Sequence, residues 1–373
     1  MKTRVPLLLS LVFAAACSDS SVTGAAPLGR VVAAPTVAGA AAATRITVMT
    51  RNLYIGADVD AVIAALASGS ETAALQAILA AVETVRKTDF FARAGGLAAE
   101  IARARPHVVG LQEVERLDID LTALGFPIEI HQNFLEILLD SLAARGLHYD
   151  TAGQVTNLME TPFPGVSVTD HDAILVDLDR VSVGPVTRQT YAANIGTVPG
   201  TDIQLIRGFV AFDATIDGMA IKVANTHLES GNGPGFAPLR AAQATELVTA
   251  VGGASAAILL GDFNDPPDSP MHAVITGTGF TDTWAALRPG APGLTCCELP
   301  DLSNHVNVLS GRIDYVLVRG LAGPQGRLLG QVTIVGDQPG DRVPGLLYPV
   351  WPSDHAGVVA SLLLPPAQGL AAR

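Results

Sequence analysis

The sequence predicts an α/β protein in which helices and strands pack in layers within a single domain, from about residue 44 to residue 364. Apolar segments of strand length outnumber the segments with helical periodicity. Their connections mix hairpin signals, such as Asp217-Gly218, with helical crossovers, and no linker-like composition divides the region. Apolar residues make up 49% of the 373 residues and charged residues 16%, so the composition permits a large core.

The N-terminus has the composition of an export signal. Lys2 and Arg4 precede an apolar run over residues 5–16, which is too short to span a membrane. Residues 1–16 are therefore predicted to be a signal peptide. The predicted location is the periplasm, the cell envelope or the medium outside the cell.

The segment after this signal allows two interpretations. Ala14-Ala15-Ala16-Cys17 fits ordinary cleavage after an A-x-A site, or a bacterial lipoprotein box in which Cys17 is acylated, and we favour the lipoprotein. Residues 17–43 are rich in Ala, Gly, Ser, Thr and Pro and would form a flexible tether to the membrane. Residues 365–373 are predicted to be a tail.

The first half of the domain alternates strands with helices. In chain order it shows a strand at 45–50, helices at 59–67, 71–85 and 90–105, a strand at 107–114, a helix at 133–145, a short strand at 149–154 and a loop at 161–169. Pro106 ends the third helix, and Pro162, Pro164 and Gly165 indicate the loop.

The second half is richer in strands. In chain order it shows strands at 173–176, 181–190, 209–216 and 220–225, a helix at 238–251, a buried strand from Ile258 to Asp262, and strands at 313–318, 330–335 and 356–363. The stretch before Arg312 is rich in loops.

Polar residues recur where these predicted strands end or begin. The set comprises Asn52, Glu113, His227, Asp262 with Asn264, Asp314, and Asp354 with His355. Each residue alone has an ordinary explanation, as a turn residue, a surface acid or a buried histidine. Their recurrence beside apolar strands instead indicates a functional site, because a sheet holds such groups rigidly while the loops leave them open to ligand.

Six short motifs in this order resemble the endonuclease/exonuclease/phosphatase superfamily, which has the deoxyribonuclease I-like fold. They are Thr50-Arg51-Asn52-Leu53, Leu111-Gln112-Glu113-Val114, Asn225-Thr226-His227-Leu228, Gly261-Asp262-Phe263-Asn264, Arg312-Ile313-Asp314-Tyr315 and Ser353-Asp354-His355. The resemblance implies a four-layer α/β/β/α sandwich of two packed mixed sheets, with the active site in the cleft at their ends. It also implies hydrolysis of a phosphoester with a divalent metal.

The resemblance assigns a metal side to the site. Glu113 is expected to be the principal ligand of Mg²⁺ or Mn²⁺, a hard cation that prefers oxygen donors. Asn52 is expected beside the metal and the phosphate, and Asp354 completes this side.

The resemblance also assigns catalytic roles. Asp262 is expected to deprotonate or position the attacking water, which Asn264 orients. His227 is expected to donate to a phosphoryl oxygen. His355 is expected to stabilise charge developing on the phosphoryl oxygens, with Asp314 fixing its orientation. His355 remains an alternative general base.

Other positions carry weaker signals. Arg207 precedes a strand and is either a phosphate contact or a surface arginine. Asp172 lies where some superfamily members place a phosphate-contacting Tyr, Arg or Asn, and we assign it to substrate binding.

The helical stretch near 56–87 is an insertion expected at the cleft rim. Cys296 and Cys297 are adjacent, and a disulfide between them is left open.

These observations predict an exported, metal-dependent phosphodiesterase that acts on nucleic acid or on a phospholipid head group by in-line attack of water. A net charge of −12 excludes nucleic-acid capture by long-range attraction alone. The alternatives are a phosphomonoesterase of the same superfamily and a catalytically silent protein that has kept the fold. Apart from substrate and membrane, no obligate partner is indicated, and a monomer is expected.

Overall fold

The structure is a computed structural model that describes residues 44–364. The predicted signal peptide, the tether with Cys17, and the tail at 365–373 lie outside the described residues. Within residues 44–364, no helix combines the length and the apolar character needed to cross a bilayer.

Two mixed sheets form the centre of the domain. The eight strands of the first sheet are β1 (Thr44–Asn52), β2 (Val108–Gln112), β3 (Arg116–Asp120), β4 (Glu129–Asn133), β5 (Tyr149–Phe163), β6 (Val166–Asp177), β15 (Gly330–Val335) and β18 (Gly357–Leu364). Their order is β15-β18-β1-β2-β6-β3-β4, with β5 also paired to β6. The pair β1–β2 is parallel and its neighbours are antiparallel.

The second sheet has six strands in the order β13-β14-β12-β11-β10-β7. They are β7 (Val181–Thr190), β10 (Gly208–Ile216), β11 (Met219–His227), β12 (Ala257–Asp262), β13 (Thr281–Asp282) and β14 (Asp314–Arg319). Here β11 and β12 are parallel, and the other pairs are antiparallel.

The described residues include seven helices, most of which pack against the outer faces of the two sheets. They are α1 (Val59–Ala67), α2 (Glu71–Thr88), α3 (Phe90–Ala104), α4 (Phe134–Ala143), α5 (Phe236–Ala250), α6 (Pro270–Gly277) and α7 (Thr283–Leu287). Short elements complete the domain: β8 (Gly196–Thr197) with β9 (Gln204–Leu205), β16 (Val343–Pro344) with β17 (Pro349–Val350), and 3-10 turns at Thr122–Leu124, Pro324–Gly326 and Pro339–Asp341.

Alternation along the central strands separates the apolar cores. On β12, Ile258 and Leu260 belong to the core between the two sheets, whereas Ala257 and Leu259 belong to the core under α5 and α6. Successive side chains of a strand point to opposite faces, so one apolar run serves two cores.

The first sheet is buried on both faces in the same way. Val48 of β1 joins the core between the sheets, while Met49 joins a third core with α2, α3 and α4. The layers therefore run helix, sheet, sheet, helix, and the predicted four-layer α/β/β/α sandwich is confirmed.

The structure corrects the predicted loop at 161–169. Strand β5 continues to Phe163 and β6 begins at Val166, so the turn itself is confined to Pro164 and Gly165. The pairing of β5 with β6 has three register irregularities, which interrupt the two-residue alternation by which a strand is recognised. Two helices and seven strands were also not predicted from the sequence, namely α6, α7, β3, β4, β8, β9, β13, β16 and β17.

Candidate active site

Both sheets present their polar strand ends to one cleft. The parallel strands β1 and β2 end there, as do β11 and β12, while β14 and β18 start there in the opposite direction. Within the second sheet the register pairs His227 with Asp262, and Asp262 with Asp314. Strand direction therefore gathers the predicted residues, although they are far apart in sequence.

Asn52 connects the two sheets at this edge. Its Nδ2 donates to Glu113 Oε1 at 2.9 Å and to Asp262 Oδ2 at 3.2 Å. Its Oδ1 accepts the backbone N–H of Tyr54 at 2.9 Å, and Glu113 Oε2 accepts that of Ile55 at 2.9 Å. The amide thereby holds one carboxylate from each sheet in a fixed relative position.

Several site residues have unusual backbone conformations. The φ angles of Tyr54, Glu113 and Asn264 are 62°, 52° and 53°, in the left-handed region that non-glycine residues rarely adopt. Such conformations persist where the surrounding structure enforces them, and they cluster at functional sites. In Asn264 this conformation lets its backbone N–H donate to Asp262 Oδ1 at 2.9 Å, while its side-chain amide donates to the Leu228 carbonyl at 2.9 Å.

His355 forms a buried dyad with Asp314. The distance from His355 Nδ1 to Asp314 Oδ2 is 2.9 Å, and that from His355 Nε2 to Asp262 Oδ2 is 3.7 Å. Burial alone lowers the pKa of His355, but the carboxylates of Asp314, Asp354 and Asp262 outweigh it and raise that pKa well above its usual value. The imidazole is therefore held as a cation.

His227 has the opposite electrostatics. Burial, followed by Arg207 and His355, lowers the pKa of His227 well below its usual value, so its ring is neutral. Its Nε2 lies 3.5 Å from Asp262 Oδ2. With the proton on Nε2, the neutral ring would direct its N–H towards this carboxylate. Asp262 thus lies between one neutral and one cationic histidine.

The acidic groups at this edge suit a divalent cation. Burial raises the pKa of Asp262 and of Asp354 to about 7; Asp314 adds to the effect on Asp262, and Glu113 adds to the effect on Asp354. Carboxylates crowded in this way are stabilised by a hard cation, and Glu113, Asp354 and the Asn52 carbonyl offer the oxygen donors that Mg²⁺ and Mn²⁺ prefer. The donor set therefore fits the metal that the sequence implied.

Two other groups of potential ligand atoms lie close together among the described residues. Asp262, Asp314 and His355 form one, and Cys296, Cys297 and His355 form the other. In the first group, His355 Nδ1 lies 2.9 Å from Asp314 Oδ2, so one ring nitrogen already has a hydrogen-bond partner. Cys296 and Cys297 form a disulfide with each other, so they offer no thiolate. The Glu113 side remains the predicted position of the metal.

The two predicted substrate-binding residues differ in position. Arg207 lines the cleft, with Nε 3.5 Å from Glu229 Oε1 and Nη1 3.8 Å from Asp170 Oδ2. Asp172 is fully buried and does not line the cleft; its Oδ2 accepts the backbone N–H of His227 at 2.8 Å. The structure thus places Asp172 where it supports His227, and the neighbouring Asp170 lines the cleft instead.

Arg93, in helix α3, supports the site and was not predicted. It is fully buried and donates to the backbone carbonyls of Leu53 at 2.6 Å, Tyr54 at 3.0 Å and Pro352 at 3.3 Å. The guanidinium therefore joins the loop after Asn52 to the loop before Asp354. A charged residue on the apolar face of a helix, three positions after Phe90, was the signal that could have identified it.

Arg51 is a second buried arginine that supports the site. Its Nε donates to Glu100 Oε2 at 3.0 Å, and its Nη1 donates to the backbone carbonyl of His355. Arg51 and Glu100 are both buried. The side chain of Arg51 is directed to Glu100, whereas that of the next residue, Asn52, donates to Glu113 and Asp262.

The cleft has a volume of about 500 Å³. Helices α1 and α2, within the predicted insertion at 56–87, line it, as the sequence suggested, and so do Cys296 and Cys297. Cys297 Sγ lies 3.8 Å from His355 Nε2, which places the disulfide beside the dyad of His355 and Asp314.

Comparison with known proteins agrees with this architecture. A sequence model of the Endonuclease/Exonuclease/phosphatase family matches residues 85–355, a range that contains every predicted site residue except Asn52 and Cys17. No curated protein sequence matches the chain.

Solved structures show the same fold. An endonuclease/exonuclease/phosphatase family protein from Bacteroides thetaiotaomicron is 16% identical, with a TM-score of 0.56 over 86% of this chain and 98% of that chain. A mannosyl-6-phosphatase from the same organism is 16% identical, with a TM-score of 0.56 over 86% of this chain and 100% of that one. A humanized TDP2 from D. rerio is 15% identical, with a TM-score of 0.51 over 85% and 98%. At these identities the structures establish the fold, and the family match establishes membership: the chain belongs to the endonuclease/exonuclease/phosphatase family of metal-dependent phosphoester hydrolases.

Proposed function

We propose that this enzyme is an exported phosphodiesterase that uses Mg²⁺ or Mn²⁺ and hydrolyses its substrate by in-line attack of water on phosphorus, without a covalent intermediate. The observation that carries the proposal is the position of Asp262. Its carboxylate lies between neutral His227 and cationic His355, and beside Asn52 on the metal side.

Glu113, Asp354 and Asn52 would hold the metal. When bound, the cation supplies positive charge that polarises the phosphoryl group. Because Asn52 also donates to Asp262, the metal side and the base belong to one hydrogen-bonded unit.

We assign each polar side chain of the site a separate role in proton transfer or charge stabilisation. Burial raises the pKa of Asp262 to about 7, which suits a group that accepts a proton from water near neutral pH. Asn264, whose backbone N–H donates to Asp262, fixes the direction of that carboxylate. His355 is cationic, so we assign it to stabilising charge on the phosphoryl oxygens rather than to acting as the base. His227 donates through Nε2 as a neutral group.

Charge in the cleft favours a phosphodiester over a phosphomonoester. Among the described residues, Arg207 is the one lysine or arginine that lines the cleft, and two carboxylates already face it. Nine acidic residues line the same cleft: Asp58, Asp60, Glu113, Glu115, Glu160, Asp170, Asp262, Glu298 and Asp354. A phosphodiester carries one negative charge and a phosphomonoester close to two, so the ionised members of this set oppose the monoester more strongly.

Export is part of the proposal. The signal sequence and the lipoprotein box at Cys17 support transfer to an oxidising compartment, with the mature protein tethered at the cell envelope. The disulfide between Cys296 and Cys297 fits such a compartment, since cytosolic thiols are usually kept reduced. We expect a monomer.

Removing divalent metal is expected to abolish activity. Hydrolysis of bis-p-nitrophenyl phosphate with Mg²⁺ or Mn²⁺ should fall at least about 100-fold in excess chelator and return when the metal is restored, because the acidic cleft alone repels the substrate. The measurement is p-nitrophenolate release, followed by absorbance.

Two comparisons accompany this experiment. Circular dichroism with and without chelator checks that the protein stays folded, and p-nitrophenyl phosphate tests the monoester alternative. Activity that survives the chelator would contradict the metal-dependent mechanism. A faster rate on the monoester would favour the phosphatase, and no rate on any phosphoester would favour the silent binding protein.

The Asp314→Asn substitution is expected to act through His355. Alone it should lower kcat by about 10- to 100-fold, because the neutral amide no longer holds the imidazole as a correctly oriented cation. In a His355→Ala background it should change kcat by less than about threefold, since its partner is already absent. A double-mutant cycle of kcat values checks this. Equal effects in both backgrounds would show that Asp314 acts independently of His355.

A further inference from the structure

The cleft combines a polar and an apolar part within one cavity. Beside the site residues it is lined by an apolar groove that we define by Ile63, Leu66, Leu158, Val168 and Leu205. All five side chains are half-buried, so each keeps part of its surface open. The buried Ile78 and Leu117 also line the cavity.

Helix α1 forms one wall of this groove in an unusual way. Asp60 is its only charged residue, yet none of its nine residues is fully buried. Ile63 and Leu66 lie one turn apart and line the cavity, whereas Ala64 is exposed and does not. The apolar face of a helix is normally buried in the protein core. An apolar face that instead lines an open cavity indicates an apolar ligand.

The groove shares its cavity with the reactive groups. The same volume of about 500 Å³, within the range of small-molecule sites, is lined by Asp262 and His355 and by Leu66 and Leu205. A substrate that fills it must carry a phosphoester joined to an apolar portion.

The lining disfavours a nucleic acid as that substrate. Tyr54 is the one Phe, Tyr or Trp among the described residues that line the cavity, and its hydroxyl donates to the Pro300 carbonyl at 2.8 Å. Base recognition depends on aromatic stacking and on a basic track for the phosphates. This cavity is lined by one arginine and nine acids, and most of its open surface is apolar.

We infer that the enzyme acts on an amphiphilic phosphodiester, whose aliphatic chain occupies the apolar groove while its phosphoryl group lies among Glu113, His227, Asp262 and His355. The inference rests on the proposed phosphodiesterase activity and specifies its substrate class. Hydrolysis consumes one water. A P–O bond forms to the water oxygen, the P–O bond to the leaving group breaks, and the leaving group takes up a proton, so that the products are an alcohol and a phosphomonoester.

A series of alkyl p-nitrophenyl phosphates tests the inference, with alkyl groups from methyl to dodecyl, each below its micelle concentration and with Mg²⁺ present. The expected kcat/KM rises about two- to fourfold per methylene until the groove is filled, because each methylene leaves water. Equal kcat/KM from methyl to octyl would overturn the inference while leaving the proposed phosphodiesterase intact. Absence of metal-dependent hydrolysis of the methyl diester would instead count against the proposed function.

Two substitutions on α1 test whether the groove causes the rise of kcat/KM with chain length. Leu66→Ser should lower the ratio of octyl to methyl kcat/KM by about tenfold, whereas the control Ala64→Ser, on the exposed face of the same helix, should keep the wild-type ratio. An unchanged ratio in Leu66→Ser would overturn the assignment.

Competition provides a measurement that needs no variant. Dodecylphosphocholine monomers should competitively inhibit hydrolysis of the methyl diester, and glycerophosphocholine at the same concentration should not. Equal inhibition by both, or by neither, would contradict binding of the chain.

Discussion

Asp262→Asn is expected to lower kcat for bis-p-nitrophenyl phosphate by about 10²–10⁴-fold, the usual contribution of a positioned general base. The amide has the size of the carboxylate but accepts no proton at neutral pH. If its oxygen keeps the bond from the Asn264 backbone N–H, its NH₂ group faces the Asn52 amide, donor against donor. The substitution therefore removes the base and also disturbs the link to the metal side.

The same substitution is not expected to destabilise the protein. Burial, with Asp314 as the next cause, raises the pKa of Asp262 to about 7, above its unfolded value. A raised pKa means that the ionised carboxylate is disfavoured in the fold, so its cost develops as the pH rises from the unfolded pKa of about 4 to the folded pKa of about 7, and is fully present above that. Without metal at pH 8, the Asn variant should therefore melt at or above the wild-type temperature.

Asp265→Asn is the matched control in the same loop. Asp265 is buried, lies 2.7 Å from Arg240 Nη2, and does not line the cleft. Its substitution should lower the melting temperature and leave kcat within about twofold, because it breaks a buried ion pair away from the substrate. The reverse pattern, with Asp262→Asn active and unstable, would show that Asp262 is structural.

Arg93→Met is expected to lower the free energy of unfolding by about 3–5 kcal/mol, as for other substitutions that break a buried charged network. Burial lowers the pKa of Arg93 to about 10, so the side chain remains charged at neutral pH despite its cost. Methionine matches its length but leaves the carbonyls of Leu53, Tyr54 and Pro352 buried without donors. Thermal and urea unfolding measure the loss, which corresponds to a melting temperature lower by about 10 °C.

Arg103→Met is the control on the same helix. Arg103 is 59% exposed and pairs with Asp341 at 3.3 Å on the surface, so its loss should cost less than about 1 kcal/mol. Arg93→Lys should also be unstable, because an ammonium group lacks the fork that reaches several carbonyls at once. A similar small effect of all three substitutions would contradict the supporting role of Arg93.

Secondary structure was predictable wherever a segment was long and uniform. The helices at 59–67 and 90–105 and the strand ending at Asp262 lie close to their predicted bounds, because apolar periodicity and Pro106 are local signals. The long β5–β6 hairpin was not predictable to its end, since its bulges shift the pairing register and hide the alternation. Pairing between strands is a tertiary property that no single segment contains.

The residues of the site could be identified from sequence, but their relations could not. Motif order placed Asn52, Glu113, Asp262 and His355 at one edge. The structure brings the last three to the same cleft and joins Asn52 to Glu113 and Asp262 by hydrogen bonds. Their catalytic roles remain predictions. The role of Asp172 illustrates the limit, because its carboxylate turns beneath the cleft to the His227 backbone, and side-chain direction depends on sheet packing.

The sequence by itself determined the family, the layered fold and the polar strand ends, because each depends on short stretches whose chemistry can be read in order. Only the tertiary structure decided which histidine is charged, since that depends on how many carboxylates and how little water surround each ring. It also decided that Arg93 holds two loops of the site, and that α1 leaves an apolar groove open beside the reactive groups. These properties arise from distances between segments that are remote in the chain.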